Sequence, residues 1–485
     1  MTYTPPDKLP RTAFGEISSQ ELSPLFQADF SYNINPELFL EHNNGGTSTV
    51  ENNMAKISTG ASANQSAEIQ SIIPLRYRPG QGALARFTGL FTTGVANSEQ
   101  LVGVGDSSDG FAFGYNGTSF GIKHWYGGSH EVRTLTVTTK STTAENITIT
   151  LDGNADATVA VTDATSGDTT TTANDIASHD FSGLGRGWDA HAIGATVIFT
   201  SYDSSSRTGS YTLSGATTAI GTFAQTIAGV APTENWTAQA SWNKDAADGT
   251  DHLPSMTWTN GNVFEIQYQW LGFGRISFYI EDPNDGEYNL VHTIDYANSN
   301  TRPSINNPTI PFMMLAENTS NTSDIIVRSA SCGLFSEGKV NGGHIHHGAS
   351  NSKTSISTET PVLTIQNKDV FQGKENRTSV KLTFFSLAID GTKPAIFRFK
   401  VNDALTGASY TDVSSNTSVV SYDASATAST GGQELAVVAL GKSEGTFQDV
   451  SSSTYLLRPG YHLTVTCESA ANTDPTVSFN WEELF

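Results

Sequence analysis

The sequence predicts an all-β protein built of several sandwich domains. Three observations carry that expectation. Short runs with β-branched or aromatic residues at alternate positions recur along the 485 residues, and Gly, Asn and Asp turns separate them. Charged residues make up 15%, against about 25% in ordinary globular chains, so the Glu, Lys and Arg that long helices need are scarce. The 25 Phe, 15 Tyr and 7 Trp supply core material that disordered chains lack.

Taken in order, residues 1–24 read as an extended N-terminal arm, because Pro5, Pro6, Pro10 and Pro24 interrupt any regular element. Strands begin near Phe26. Ala85–Thr92 and Leu101–Gly105 alternate, and Asn116-Gly117 closes a hairpin between Phe111–Tyr115 and Phe120–Trp125. From residue 134 the texture changes to Thr-Val-Thr alternation with one short helix near 170–178. Between residues 141 and 241 only Arg186 and Arg207 face ten acids. This stretch, 134–233, reads as a β-rich module of common domain size inserted into one sandwich spanning 25–133 and 234–337. Loop-closure entropy rises slowly with length, so a loop tip tolerates such an insertion. The first texture returns at Val263-Phe-Glu-Ile-Gln-Tyr-Gln-Trp and in the hairpin around Asp282-Pro-Asn-Asp-Gly286. Residues 338–357 read as a Gly/His/Ser linker, and 358–485 as a C-terminal β-sandwich.

Composition also bounds function. Lys and Arg total 26 and Asp and Glu total 48, a formal charge of −22. Such a chain repels phosphate, so nucleic acid is not an expected partner. No run approaches the ~20 apolar residues of a membrane-spanning helix, and no apolar signal segment opens the sequence. Cys332 and Cys467 are too few for a disulfide framework or a cysteine zinc site and read as buried thiols.

Three groups of residues resemble a known class. They are Tyr77-Arg-Pro-Gly-Gln-Gly-Ala-Leu-Ala-Arg-Phe-Thr with Gly110-Phe-Ala-Phe-Gly-Tyr-Asn-Gly, then Tyr268-Gln-Trp-Leu-Gly-Phe-Gly-Arg-Ile-Ser-Phe, and finally Leu457-Arg-Pro-Gly-Tyr with Val477-Ser-Phe-Asn-Trp-Glu-Glu. They are similar to virion proteins of tailed bacteriophages and other large DNA viruses. The first sandwich resembles concanavalin A-like (laminin-G-like) jelly rolls, and the inserted module resembles the Thr-rich β modules of phage fibres. The resemblance implies a non-enzymatic virion component, either capsid decoration, head fibre or tail-associated fibre, assembled in the host cytoplasm and then carried on the extracellular particle. Its implied partners are other virion proteins and itself, as a homo-oligomer with a homotrimer favoured, together with a host-surface glycan in attachment. The alternatives are a carbohydrate-binding adhesin and, behind it, a secreted glycan hydrolase.

Four candidate sites follow. His344, His346 and His347 offer imidazoles. His344 and His346, two apart, point the same way in an extended strand. On a threefold axis three such pairs would supply six nitrogens to a transition metal, and the competing reading is a solvated linker. Asp106 and Asp109 cluster oxygen ligands suited to calcium, yet acidic turns also simply close hairpins. Trp125 and Tyr126, in an apparent loop before Gly127-Gly128, are the carbohydrate-stacking candidates. Paired catalytic carboxylates are not expected, because Glu265 is followed on its face by Gln267 and Gln269 rather than by acids.

Overall fold

The computed structural model describes residues 22–164, 167–215, 218–338, 345–451 and 455–484. Nearly all of the N-terminal arm and His344 lie outside these residues. The architecture is the expected all-β, multi-sandwich one, and among the described residues there is one α-helix, Thr169–Ala177. The chain divides into two compact units.

The first unit holds two antiparallel sheets. One runs Thr233–Ala238, Ser119–Tyr126, Gly110–Asn116, Ser98–Gly105, Phe312–Asn318, Gln65–Ser71, Phe39–Asn44. The other runs Tyr288–Ile294, Ile276–Glu281, Asn262–Tyr268, Ala83–Phe91 and then forks. One end of Ala83–Phe91 pairs with Ser331–Glu337, which pairs in turn with Leu22–Asp29. The other end pairs with Ile326–Ser329. At the fork the Thr88 hydroxyl accepts the Ala330 N–H at 2.7 Å, so the backbone freed by the split stays bonded. Alternation puts Phe111 and Phe113 on the inner face of one sheet and Phe264, Tyr268 and Phe278 on that of the other. Phe113 meets Phe264 with ring centroids 4.6 Å apart and Phe278 edge-on at 5.6 Å. Pairs this close add roughly 0.5–1.5 kcal/mol each beyond area burial.

The second unit joins the inserted module to the C-terminal sandwich. The module has its own core, with Leu135, Ile149, Ile176, Trp188 and Phe199 all buried between a four-stranded sheet, a three-stranded sheet and the helix. Asp168 caps that helix by accepting the Thr170 N–H at 2.9 Å. The segment Tyr202–Ser205 departs from the module and belongs to the first unit. The C-terminal sandwich packs a four-stranded sheet on a six-stranded one around Phe397, Phe479 and Trp481. The module docks on this sandwich. Asn174 Nδ2 donates to the Leu405 carbonyl at 3.0 Å, the Gly407 N–H donates to Thr170 Oγ1 at 3.1 Å, and His191 Nδ1 lies 3.0 Å from Asp369 Oδ1.

Three boundaries need correction: the strand Leu22–Asp29 takes in the end of the arm, Val132–Thr139 starts before residue 134, and the linker holds a strand. Ile345–Ser352, read as linker, is an edge strand paired antiparallel with Thr473–Leu484. Its sequence, Ile-His-His-Gly-Ala-Ser-Asn-Ser, carries almost no apolar alternation, because an edge strand with one face in water needs little.

Burial alone would lower the His191 pKa, but the Asp369 carboxylate outweighs it and holds the imidazolium above its ordinary value of 6.5. A histidine raised on folding stabilises fully below the unfolded pKa, and that stabilisation is lost as pH rises through the folded one. The protection factor of the strand Trp188–Ile193, exchange relative to the unfolded chain at the same pH, should therefore fall above neutrality. In Asp369→Asn it should be low at acid pH too, with the step lost.

Candidate functional site

The predicted residues of the first unit gather at one end of its sandwich. Asp106–Asp109 forms the turn between Ser98–Gly105 and Gly110–Asn116. Asp106 Oδ1 accepts the N–H groups of Ser108 and Asp109 at 2.8 and 3.1 Å. Asp109 Oδ1 accepts those of Gly127 and Asn306, both at 3.0 Å. Asp109 thus staples two other loops to its own turn. Both side chains are buried and committed to backbone amides. Among the described residues no three His, Cys, Asp or Glu side chains are placed to hold one metal ion.

Trp125 is not in a loop. It ends the strand Ser119–Tyr126 and is only 3% exposed, and its indole N–H donates to the Asp106 carbonyl at 2.6 Å. The ring lies against Gly110, where an added Cβ would come within 2.3 Å of it. Glycine there is what admits the indole. The sequence reading ended a strand at Trp125 yet took Trp125-Tyr126 for loop residues because Gly127-Gly128 follows, whereas the strand runs on through Tyr126. Alternation puts Tyr126 on the opposite side, half-buried, with the Arg302 guanidinium 4.6 Å above its ring centroid. Nearby, Phe273 packs against Tyr296 at 6.3 Å, and His124 sits between Tyr126 and Tyr296 at 5.1 and 6.1 Å. His124 Nε2 is 2.6 Å from the Ser304 carbonyl, and burial pushes its pKa down, so it stays neutral. The result is an aromatic ledge in which Phe273 is exposed, Tyr126 is half-buried beneath Arg302 and Tyr296 is buried. Exposed Arg302 and Asn306 stand beside it, and the amide of exposed Asn300 reaches the Tyr296 carbonyl at 3.4 Å. Flat apolar faces beside a few amide and guanidinium donors are what small-ligand sites present. Phe273 and Tyr296 were missed because nothing in sequence links the loops at 126, 273 and 296.

The outer face of the same sheet holds a second feature absent from the sequence reading. Trp125 shares that face with buried Leu101, Ala112 and Met313. Beside them Lys123 binds Glu99 at 2.7 Å and Glu234 at 3.0 Å. Glu317 lies directly across the strand pair from Glu99. Burial, then the Glu99 charge, pushes the Glu317 carboxyl up to about 7. The segment Tyr202–Ser205 covers part of this face. Tyr202 stacks on His42 at 4.2 Å, and Ser204 Oγ bonds Ser108 Oγ at 2.7 Å. The two acids stand 218 positions apart in sequence, beyond the reach of any motif.

Glu265, the acid weighed as a catalytic candidate, is buried on the strand Asn262–Tyr268 and takes the Arg86 guanidinium at 2.6 Å and the Gln267 amide at 2.6 Å. The histidines separate. His346 is exposed, 3.8 Å from Glu482. His347 turns to the other face, its Nε2 3.3 Å from the Thr417 carbonyl and 3.9 Å from Glu483. Both cysteines are buried and free, and burial pushes the Cys467 thiol up to about 12.

No family model matches the chain, and no curated protein matches it. Among solved structures, arcelin-5, a lectin-like defense protein from Phaseolus vulgaris, is 6% identical over 65% of this chain and 99% of that one, with a TM-score of 0.23. Metal-free lectin I-B4 from Griffonia simplicifolia is 9% identical over 64% and 99%, also at 0.23. A structure from Sulfolobus turreted icosahedral virus is 9% identical over 96% and 98%, at 0.15. At such scores these likenesses say nothing of chemistry, and the fold rests on the strand pairing above.

Two outcomes are expected. Trp125→Ala should cost about 3–5 kcal/mol in urea unfolding, as large buried aromatics do, whereas half-buried Tyr126→Ala should cost roughly 1–2 kcal/mol. Glu317 keeps its proton in the folded chain where the unfolded chain has lost it, between its ordinary 4.5 and about 7. Its contribution to stability therefore falls as pH rises through that window. Glu317→Gln should stabilise by roughly 2 kcal/mol at pH 8, the full shift being discounted for partial exposure, and by nothing near pH 4.

Proposed function

We propose that the chain is a non-enzymatic structural protein displayed on a virus particle, where copies associate and contribute to host-surface attachment. The observation that carries this reading is the use made of the polar side chains at the candidate sites. Asp106 and Asp109 hold backbone amides, Glu265 holds Arg86, and Glu483 takes the Val419 N–H at 2.8 Å and the Trp481 indole at 3.1 Å. Groups bonded in this way stiffen loops and strands. A particle component must persist outside the cell on packing alone, and two buried free thiols add no cross-link. An acidic, largely uncharged-polar sequence at −22 keeps densely displayed copies apart in solution.

A second reading, a carbohydrate-binding module, is favoured by the aromatic ledge. Phe273 offers exposed ring surface to a pyranose, while Arg302, held over Tyr126, and Asn306 offer donors to its hydroxyl or carboxylate groups. The two readings are compatible on one particle.

Antibody labelling of intact particles under the electron microscope should decorate their surface, and a purified particle that lacks the protein would end the first reading. On a glycan array the chain should bind through the ledge. Tyr126→Ala with Arg302→Ala should then reduce binding at least tenfold, and the outward His346→Ala should leave it unchanged. Release of reducing sugar from a bound polysaccharide would overturn the non-enzymatic assignment.

A further inference from the structure

We infer that the strand Gln433–Leu440 is the seam through which two copies of this chain join, pairing antiparallel with itself across a twofold axis. The strand closes one end of the six-stranded sheet of the C-terminal sandwich, and its one strand neighbour among the described residues is Ala395–Val401. Its other edge presents a row of backbone N–H and C=O groups, the template onto which a further strand adds. Natural edges are blunted by Lys, Pro, inward charges or brevity. This one is eight residues long, has neither Lys nor Pro, and reads Gln-Glu-Leu-Ala-Val-Val-Ala-Leu. Leu435 and Val437 stand 39% and 48% exposed. The chain then turns and forms Gly445–Asp449, the terminal strand of the facing sheet, where Phe447 is 60% exposed and stacks on Phe384 at 5.2 Å. The terminal strands of both sheets are thus consecutive in the chain, joined by the short connection 441–444, and both carry apolar residues in water. Exposed apolar groups gathered in this way mark an interaction surface.

Charge selects the occupant. Two copies at −22 repel across most surfaces, so a self-contact needs a neutral stretch, and Leu435–Leu440 carries no charge at all. The one acid of the strand, Glu434, lies near its start, 3.5 Å from Arg398 of its own sheet. Antiparallel self-pairing centred on Val437, which then faces its own copy, sets Glu434 opposite Leu440 of the second chain. Parallel pairing in register would set Glu434 on Glu434, which is unfavourable. The antiparallel arrangement is isologous and closes as a dimer. Larger assemblies would then be built from such pairs.

The proposal rests on self-association in the reading above, and the purified full chain tests it without reference to any particle. Sedimentation at micromolar concentration should give twice the chain mass. Leu435→Lys with Val437→Lys should give single-chain mass with unchanged circular dichroism. Because Cys332 and Cys467 are buried, Val437→Cys introduces the one readily accessible thiol. Mild oxidation should then link two chains at least tenfold faster than in Tyr32→Cys, whose side chain is 95% exposed on the first unit. A wild-type monomer overturns the seam and leaves surface display on a particle standing. So does a dimer untouched by the lysines, or cross-linking no faster at 437 than at 32.

Discussion

The contact of Phe87, Phe113, Phe264 and Phe278 between two sheets is the constraint from which the first unit follows. These rings come from strands as far apart in sequence as Ala83–Phe91 and Ile276–Glu281, so the core forms only when distant segments have paired. Closure is completed by the outermost strands of the unit, Leu22–Asp29 and Ser331–Glu337, lying side by side. With its ends tied together, the sandwich can carry a hundred-residue excursion between Tyr126 and Thr233, because the strands that leave and return, Ser119–Tyr126 and Thr233–Ala238, are themselves partners. The insertion begins and ends at one edge of a sheet, so it disturbs no interior hydrogen bond.

The polar end of the sandwich is fully bonded within the first unit. Asp109 binds Gly127 just beyond the strand Ser119–Tyr126 and so ties that loop to its own turn. The Trp125 indole does the same from the other side, through the Asp106 carbonyl. Residues that look like ligands in the sequence act here as carpentry. The aromatic ledge is a by-product of the same geometry. Once Trp125 is turned to one face, Tyr126 must turn to the other, where Tyr296 and Arg302 meet it.

Fold class was legible in the sequence because it depends on period-two alternation and turn chemistry, and both are local. The hairpin at Asn116-Gly117 and the helix near 170–178 were visible for that reason, Gly117 having the positive φ its turn requires. What could not be read was anything fixed by non-local pairing or by side-chain direction. Glu99 and Glu317 share a face because their strands are neighbours in the sheet, a fact of topology. Trp125 was misplaced because an exposed and a buried aromatic next to a glycine turn look alike in sequence. The strand Ile345–Ser352 was invisible because it is an edge with little to bury, and His346 and His347 fall on opposite faces because they sit in it one after the other.

The two edge strands of the C-terminal sandwich make a comparison that bears on how the chain is used. Ile345–Ser352 follows the usual rules for an edge in water, with His, Gly, Ser and Asn along its length and Glu482 and Glu483 near its imidazoles. Gln433–Leu440, on the opposite end of the facing sheet, breaks them. A chain that protects one edge with polar residues can protect the other at similar cost. Leaving Leu, Val and Ala on the second edge costs solubility unless something covers it. That asymmetry lies within one domain, so overall composition does not account for it.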